Sequence, residues 1–147
     1  MPRIRPTVKI KSDLKGLTKL RNVVKKQASM VADVGHFGNK QHNEDNESIA
    51  EISLINQQGT SKIPARPYML IALESPAFLK EYNKSVERVA TGKSTITKEL
   101  SNLSDALKQI MIGVIETSFN LVPNAPITIE LKGSNRPLID TGTLVSD

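Results

Sequence analysis

Three stretches of this sequence carry residue types that could do chemistry. Asp140-Thr141-Gly142, preceded by Leu138-Ile139, has the pattern of an aspartic-protease loop. That reaction needs two carboxylates sharing one proton, so a small protease needs two copies of the loop, a flap and further strands. Only five residues follow Gly142, which argues against it. Gly92-Lys93-Ser94-Thr95 looks like the end of a phosphate-binding loop, whose full motif has another glycine five positions before Gly92. Glu87 stands there, and its carboxylate would repel phosphate. His36, His42, Glu44, Asp45 and Glu47 gather imidazoles and carboxylates, but their spacing matches no metal-ligand pattern and no apolar shell surrounds them. They read as a solvated loop tip. No nucleophile elbow or nucleophile–base pair exists. The sequence therefore points away from catalysis, and no cofactor or metal is expected.

Composition narrows the class further. With no cysteine, disulfides and thiolate metal sites are excluded. Three Phe, two Tyr and no Trp leave the core to Leu, Ile, Val and Ala. No apolar run approaches the roughly 20 residues of a membrane helix, and the basic N-terminus lacks the apolar stretch of a signal peptide. A soluble protein of a reducing cytoplasm, with no membrane partner, is the expectation. Charge is uneven: residues 1–28 hold nine Lys/Arg against Asp13, a net of +8, which leaves −3 on the other 119 residues of a chain totalling +5. Arg3, Arg5, Lys9, Lys11, Lys15, Lys19, Arg21, Lys25 and Lys26 are thus candidates for contact with an acidic surface or DNA. A solvated helix face explains them equally well.

The elements that would position these residues follow from period and punctuation. Ser12 can cap a helix over 13–28, where Leu14, Leu17, Leu20, Val24 and Ala28 recur at helical spacing. Residues 30–37 and 49–55 read as two strands of a hairpin with a polar tip at 38–47. Pro64 and Pro67 make 59–68 an extended, rigid crossing. Residues 67–74 suit a short helical turn and Pro76 restarts a helix to about Ala90. Thr95 or Thr97 then caps the longest helix, about 95–121, striped by Leu100, Leu103, Leu107, Ile110 and Val114. Gly113 is a weak point in that helix or a site of close packing. Ile127-Thr128-Ile129-Glu130-Leu131 alternates like a strand, Lys132 to Pro137 is a turn, and Gly142 suits a positive φ. The expected fold is α+β: a small, mainly antiparallel sheet packed by two or three helices. Residues 1–28 form a basic arm and 29–147 the α+β domain.

Two segments resemble something known. Gly59-Thr60 followed by Ile63-Pro64-Ala65-Arg66-Pro67-Tyr68 is similar to the G-T-x-x-I-P-A-R-P-F element of a tailed-bacteriophage family. Its members are called neck, tail-completion or virion morphogenesis proteins. Pro123-Asn124-Ala125-Pro126-x-Thr128, Lys132-Gly133-Ser134 and Pro137-Leu138-Ile139-Asp140-Thr141-Gly142-x-Leu144 resemble its second signature. Order and spacing agree over roughly 30–144.

That resemblance implies a non-enzymatic α+β subunit that forms a ring, commonly a hexamer, in the virion at the head–tail junction. The ring would complete the tail, join it to the head connector and leave a channel for genomic DNA. The partners implied are other copies of the chain, head-completion or connector proteins, and tail terminator or tail tube proteins, assembled in the bacterial cytoplasm. Ile63 to Tyr68, Lys132, Gly133 and Leu138 to Gly142 become the candidate subunit contacts. Arg66, between two prolines, presents a planar fork. It could pair with a carboxylate, Asp140 or a neighbour's, or lock a turn internally. Tyr68 replaces the family Phe. Family members usually continue past the last motif into further strands, so a chain ending at Asp147 could have its sheet completed by a neighbour. Two alternatives stand beside this reading: a tail terminator capping the tube, and a basic DNA-binding protein acting through residues 1–28.

Overall fold

The structure, a computed structural model, describes residues 15–27, 29–37, 48–140 and 142–146. The chain divides into two compact units, Met1–Met30 and Val31–Asp147.

The first unit carries helix α1, Lys15–Gln27. Leu17, Leu20 and Val24 fall three and four apart, so they share one side of the helix. Leu17, Val23 and Val24 are exposed, and Leu20 is half-buried. Ser12, Asp13 and Ala28, the expected start and end, lie outside the described residues.

The second unit is built from helices α2 (Ile49–Gln58), α3 (Tyr68–Leu73), α4 (Pro76–Ala90), α5 (Ile96–Thr117), α6 (Pro126–Lys132) and the single turn α7 (Thr143–Ser146). Among the described residues the structure is 63% helical with 1% strand and no sheet, so the expected α+β fold with an antiparallel sheet is wrong. Residues 30–37 form neither helix nor strand, and 49–55 are helical. The apolar run 49–55 fits both periods. The helical one wins because it turns Ile49 and Ser53, four apart, inward together. Residues 127–131 alternate apolar and polar side chains, the first three of them β-branched, yet Pro126 sets the first-turn φ and Gly133 closes the end in a left-handed conformation. This proline-first, glycine-last punctuation outweighs the weak strand propensity between. The described residues hold no sheet for a neighbour's strand to complete. The proposed loop tip 38–47 lies outside the described residues.

Caps explain where the long helices begin. Ser75 Oγ accepts from the Phe78 N–H at 3.1 Å, and Thr95 Oγ1 accepts from the Lys98 N–H at 3.3 Å. Each satisfies a donor that has no partner inside its helix, worth about 1 kcal/mol. Helix α5 ends earlier than expected, where Ser118 and Asn120 take positive φ. Both α3 and α4 pack on α5. The core is Tyr68, Ala72, Met111, Val114, Ile115 and Leu121, with Val34, Leu138 and Ile139 against it.

Candidate functional site

The segment with the most specific sequence is also the most tightly built. Gly59 ends α2 at φ 72°, and its N–H donates to the Ile55 carbonyl at 2.7 Å. The chain then folds back so closely that a Cβ on Gly59 would stand 2.7 Å from the Ala65 nitrogen and 2.9 Å from the Ile63 carbonyl oxygen. Glycine is required there by contact as well as by φ. Thr60 shapes the turn: its N–H donates to the Ile63 carbonyl at 2.8 Å, and its hydroxyl accepts from the Ile63 N–H at 3.0 Å. Pro64 and Ala65 are exposed on the way to Arg66.

Arg66 is only 8% exposed. Its backbone N–H donates to the Asn56 carbonyl at 2.6 Å, tying it to α2. Its guanidinium crosses to the segment after α5: Nε donates to the Val122 carbonyl at 2.8 Å, and Nη2 to the Pro123 carbonyl and Asn124 Oδ1, each at 3.2 Å. All three acceptors are neutral. The fork therefore locks a turn internally, and the suggested pairing with Asp140 does not form. Burial disfavours the charged guanidinium and lowers its pKa from the usual range.

Asn124 passes the connection onward. Its amide Nδ2 donates to the Arg136 carbonyl at 3.3 Å and the Ser134 carbonyl at 3.5 Å. Lys132 Nζ donates to the same Arg136 carbonyl at 3.0 Å. Desolvation first, and the nearby Arg66 charge after it, lower the Lys132 pKa, while Asp140 opposes them. The structure thus brings Arg66 and Lys132 into one polar network with Asn124, and Asp140 stands exposed at its edge. Gly133 takes φ 67° and Gly142 takes φ 81°. Leu138, at φ 64°, and Ile139 are half-buried and pack against the core. Thr141 lies outside the described residues.

Tyr68 is fully buried, and its hydroxyl pairs with Ser53 Oγ at 2.7 Å, so the group that the family phenylalanine lacks has a partner. Burial raises its pKa. His36 stands edge-on to the Tyr68 ring at 6.2 Å. Beside them lies a part-open cavity of about 50 Å³, lined chiefly by Tyr68, Met111, Ile112, Ile115, Leu144 and Val145, with His36 and Lys108 as its polar members.

The phosphate-loop lookalike is the turn between α4 and α5. Gly92 has the left-handed φ of 71° that the turn needs. Glu99, 4% exposed, accepts from Arg88 Nη2 at 2.6 Å and Nε at 3.0 Å. Arg88 also donates to Ser85 Oγ at 3.1 Å. Arg88 first, with Ser94 and Ser85 close by, holds the Glu99 carboxyl down at about 2. Ser94 Oγ is buried and makes no hydrogen bond of ordinary geometry, so Arg88 is the principal partner. A carboxylate already fills this turn, which leaves no cradle for phosphate.

Of the metal-like cluster only His36 is described, and among the described residues no group of three or more His, Asp or Glu is placed to hold an ion. Arg3, Arg5, Lys9 and Lys11 lie outside the described residues; Lys15, Lys19, Arg21 and Lys25 are exposed on α1, and Lys26 is within that helix. Sequence reasoning gave Asn124, Ser53, Ser85, Arg88 and Glu99 no role. Asn124 had a signal, since it sits inside the quoted Pro-Asn-Ala-Pro motif. The Arg88–Glu99 pair, eleven apart across a turn, had none.

A scan against models of protein families, a search of curated proteins and a search of solved structures each found no match for this chain.

Proposed function

We propose that this chain is a non-enzymatic structural subunit of a tailed-phage virion. It forms a ring, a hexamer by the family resemblance, that completes the tail and joins it to the head connector around a channel for DNA. One observation carries the reading. The two sequence signatures, 56 to 58 residues apart, meet as one unit through Arg66, Val122, Pro123 and Asn124. A shared clasp gives a physical reason for both signatures to occur together. The exposed apolar side chains of the main unit, Leu131 at 85% and Ile127 at 67% among them, suit a protein whose surface is finished by assembly. No helix among the described residues is long and apolar enough to cross a membrane.

Locating the subunit in micrographs of purified virions tests the proposal. Density at the head–tail joint is expected, and absence of the chain from intact particles would sink it. Deletion should give tails of normal length that fail to join heads. Tails of uncontrolled length would instead identify a terminator. A DNA-binding reading is favoured by α1, which carries five Lys/Arg and no acid. It requires DNA affinity that falls steeply with salt and vanishes when residues 1–28 are deleted.

A further inference from the structure

Helix α6 has seven residues and none of them is buried. A helix that short does not hold itself together in water. What holds it is its base: Asn124 before it bonds the carbonyls of Ser134 and Arg136 after it, and Lys132 bonds Arg136 again. The clamp presents a fixed knob. Ile127 and Leu131, four apart and so on one side of the helix, are its apolar surface, and Glu130 is exposed beside them.

The same unit carries a fitting recess. The cavity beside Tyr68 is apolar at Met111, Ile112, Ile115, Leu144 and Val145, and no residue of α6 lines it. One water takes up about 10–15 Å³ of such free volume, so there is room for a branched side chain of about four carbons. The polar members of the recess are His36 and the exposed Lys108, and Lys108 is opposite in charge to Glu130 on the knob.

We infer that α6 of one copy seats Leu131 in the Tyr68 cavity of a second copy, with Glu130 meeting Lys108. Knob and recess are different surfaces of one chain, so the contact is head-to-tail, the kind that closes into a ring when the rotation allows. The inference rests on the proposed ring and names the surfaces that make it.

Sedimentation of the full chain over a concentration series provides the test. Wild type should assemble, and L131D should lower assembly at a given concentration at least 10-fold while its circular dichroism stays unchanged. K108E should weaken assembly, and K108E/E130K should restore it. The chain has no native cysteine, so L131C/I112C should oxidise to a ladder of covalent multimers, with each single variant stopping at dimers. Normal rings from L131D, with no ladder from the double variant, would overturn the knob while leaving the ring reading intact. A wild-type chain that stays monomeric at every concentration would overturn both.

Discussion

Arg88 and Arg66 each reach from one segment of backbone to hold another, but Arg88 meets a carboxylate and Arg66 meets only neutral oxygens. Arg88 and Glu99 close the turn between two helices that already pack side by side, eleven residues apart. Arg66 joins segments more than fifty residues apart through two carbonyls and an amide. An ion pair stabilises while both charges last, so it answers to pH. A guanidinium on carbonyls has no partner that titrates in the ordinary range, so its hold does not vary with acid. Geometry, in the form of a planar fork with several fixed donors, replaces opposite charge.

Substitutions can break this contrast. The largest effect is expected for R66M, which leaves the Val122 and Pro123 carbonyls and Asn124 without their donor. Unfolding in urea should show a loss of about 2–4 kcal/mol. R66K should recover little of it, because one ammonium cannot reproduce the fork. A lysine variant as stable as wild type would mean that charge alone matters there. G59A comes next, at about 2 kcal/mol, since its methyl meets backbone that cannot swing away. Wild-type thermal stability from G59A would break the claim that close approach fixes this glycine.

The pH arm sharpens the comparison. The folded Glu99 carboxyl titrates at about 2 against an ordinary 4.5, so folding favours its ionised form. Its contribution is fully present above about 4.5 and drains away as pH falls towards 2. The melting-temperature advantage of wild type over E99Q should therefore shrink across that window, while the deficit of R66M should stay level. Parallel curves for E99Q and R66M would erase the distinction. The smallest effect belongs to G113A. A Cβ there meets nothing within 4 Å, so replacing a mid-helix glycine should raise stability by about 0.5–1 kcal/mol.

The sequence made some of this legible and hid the rest for physical reasons. Helices α4 and α5 declared themselves through Pro76, Thr95 and apolar stripes with one period. The expected sheet fails because 49–55 satisfies two periods at once and Ile127, Thr128 and Ile129 are β-branched. The flanking Pro126 and Gly133, local signals both, were the better guide. Gly113 suits either a weak point or a site of close packing by sequence, and the open space beside it leaves the first. The motifs drew attention to Arg66 and Tyr68, but their partners could not be read from spacing. Asn124 and Ser53 find them only once distant segments meet. Leu138 and Ile139, candidate contacts by their motif, also pack part of their surface against the core.

The reach of Arg66 also bears on the order of folding. Closing a loop of about 57 residues costs roughly 1.5 kcal/mol more in chain entropy than closing one of 11. The helical hairpin of α4 and α5 can therefore form early from near neighbours, and the Arg66 clasp closes late. A contact made after the rate-limiting barrier leaves the folding rate almost alone and governs escape from the native state. Replacing Arg66 should thus speed unfolding far more than it slows folding. The clasp acts as a latch on the lifetime of the finished subunit.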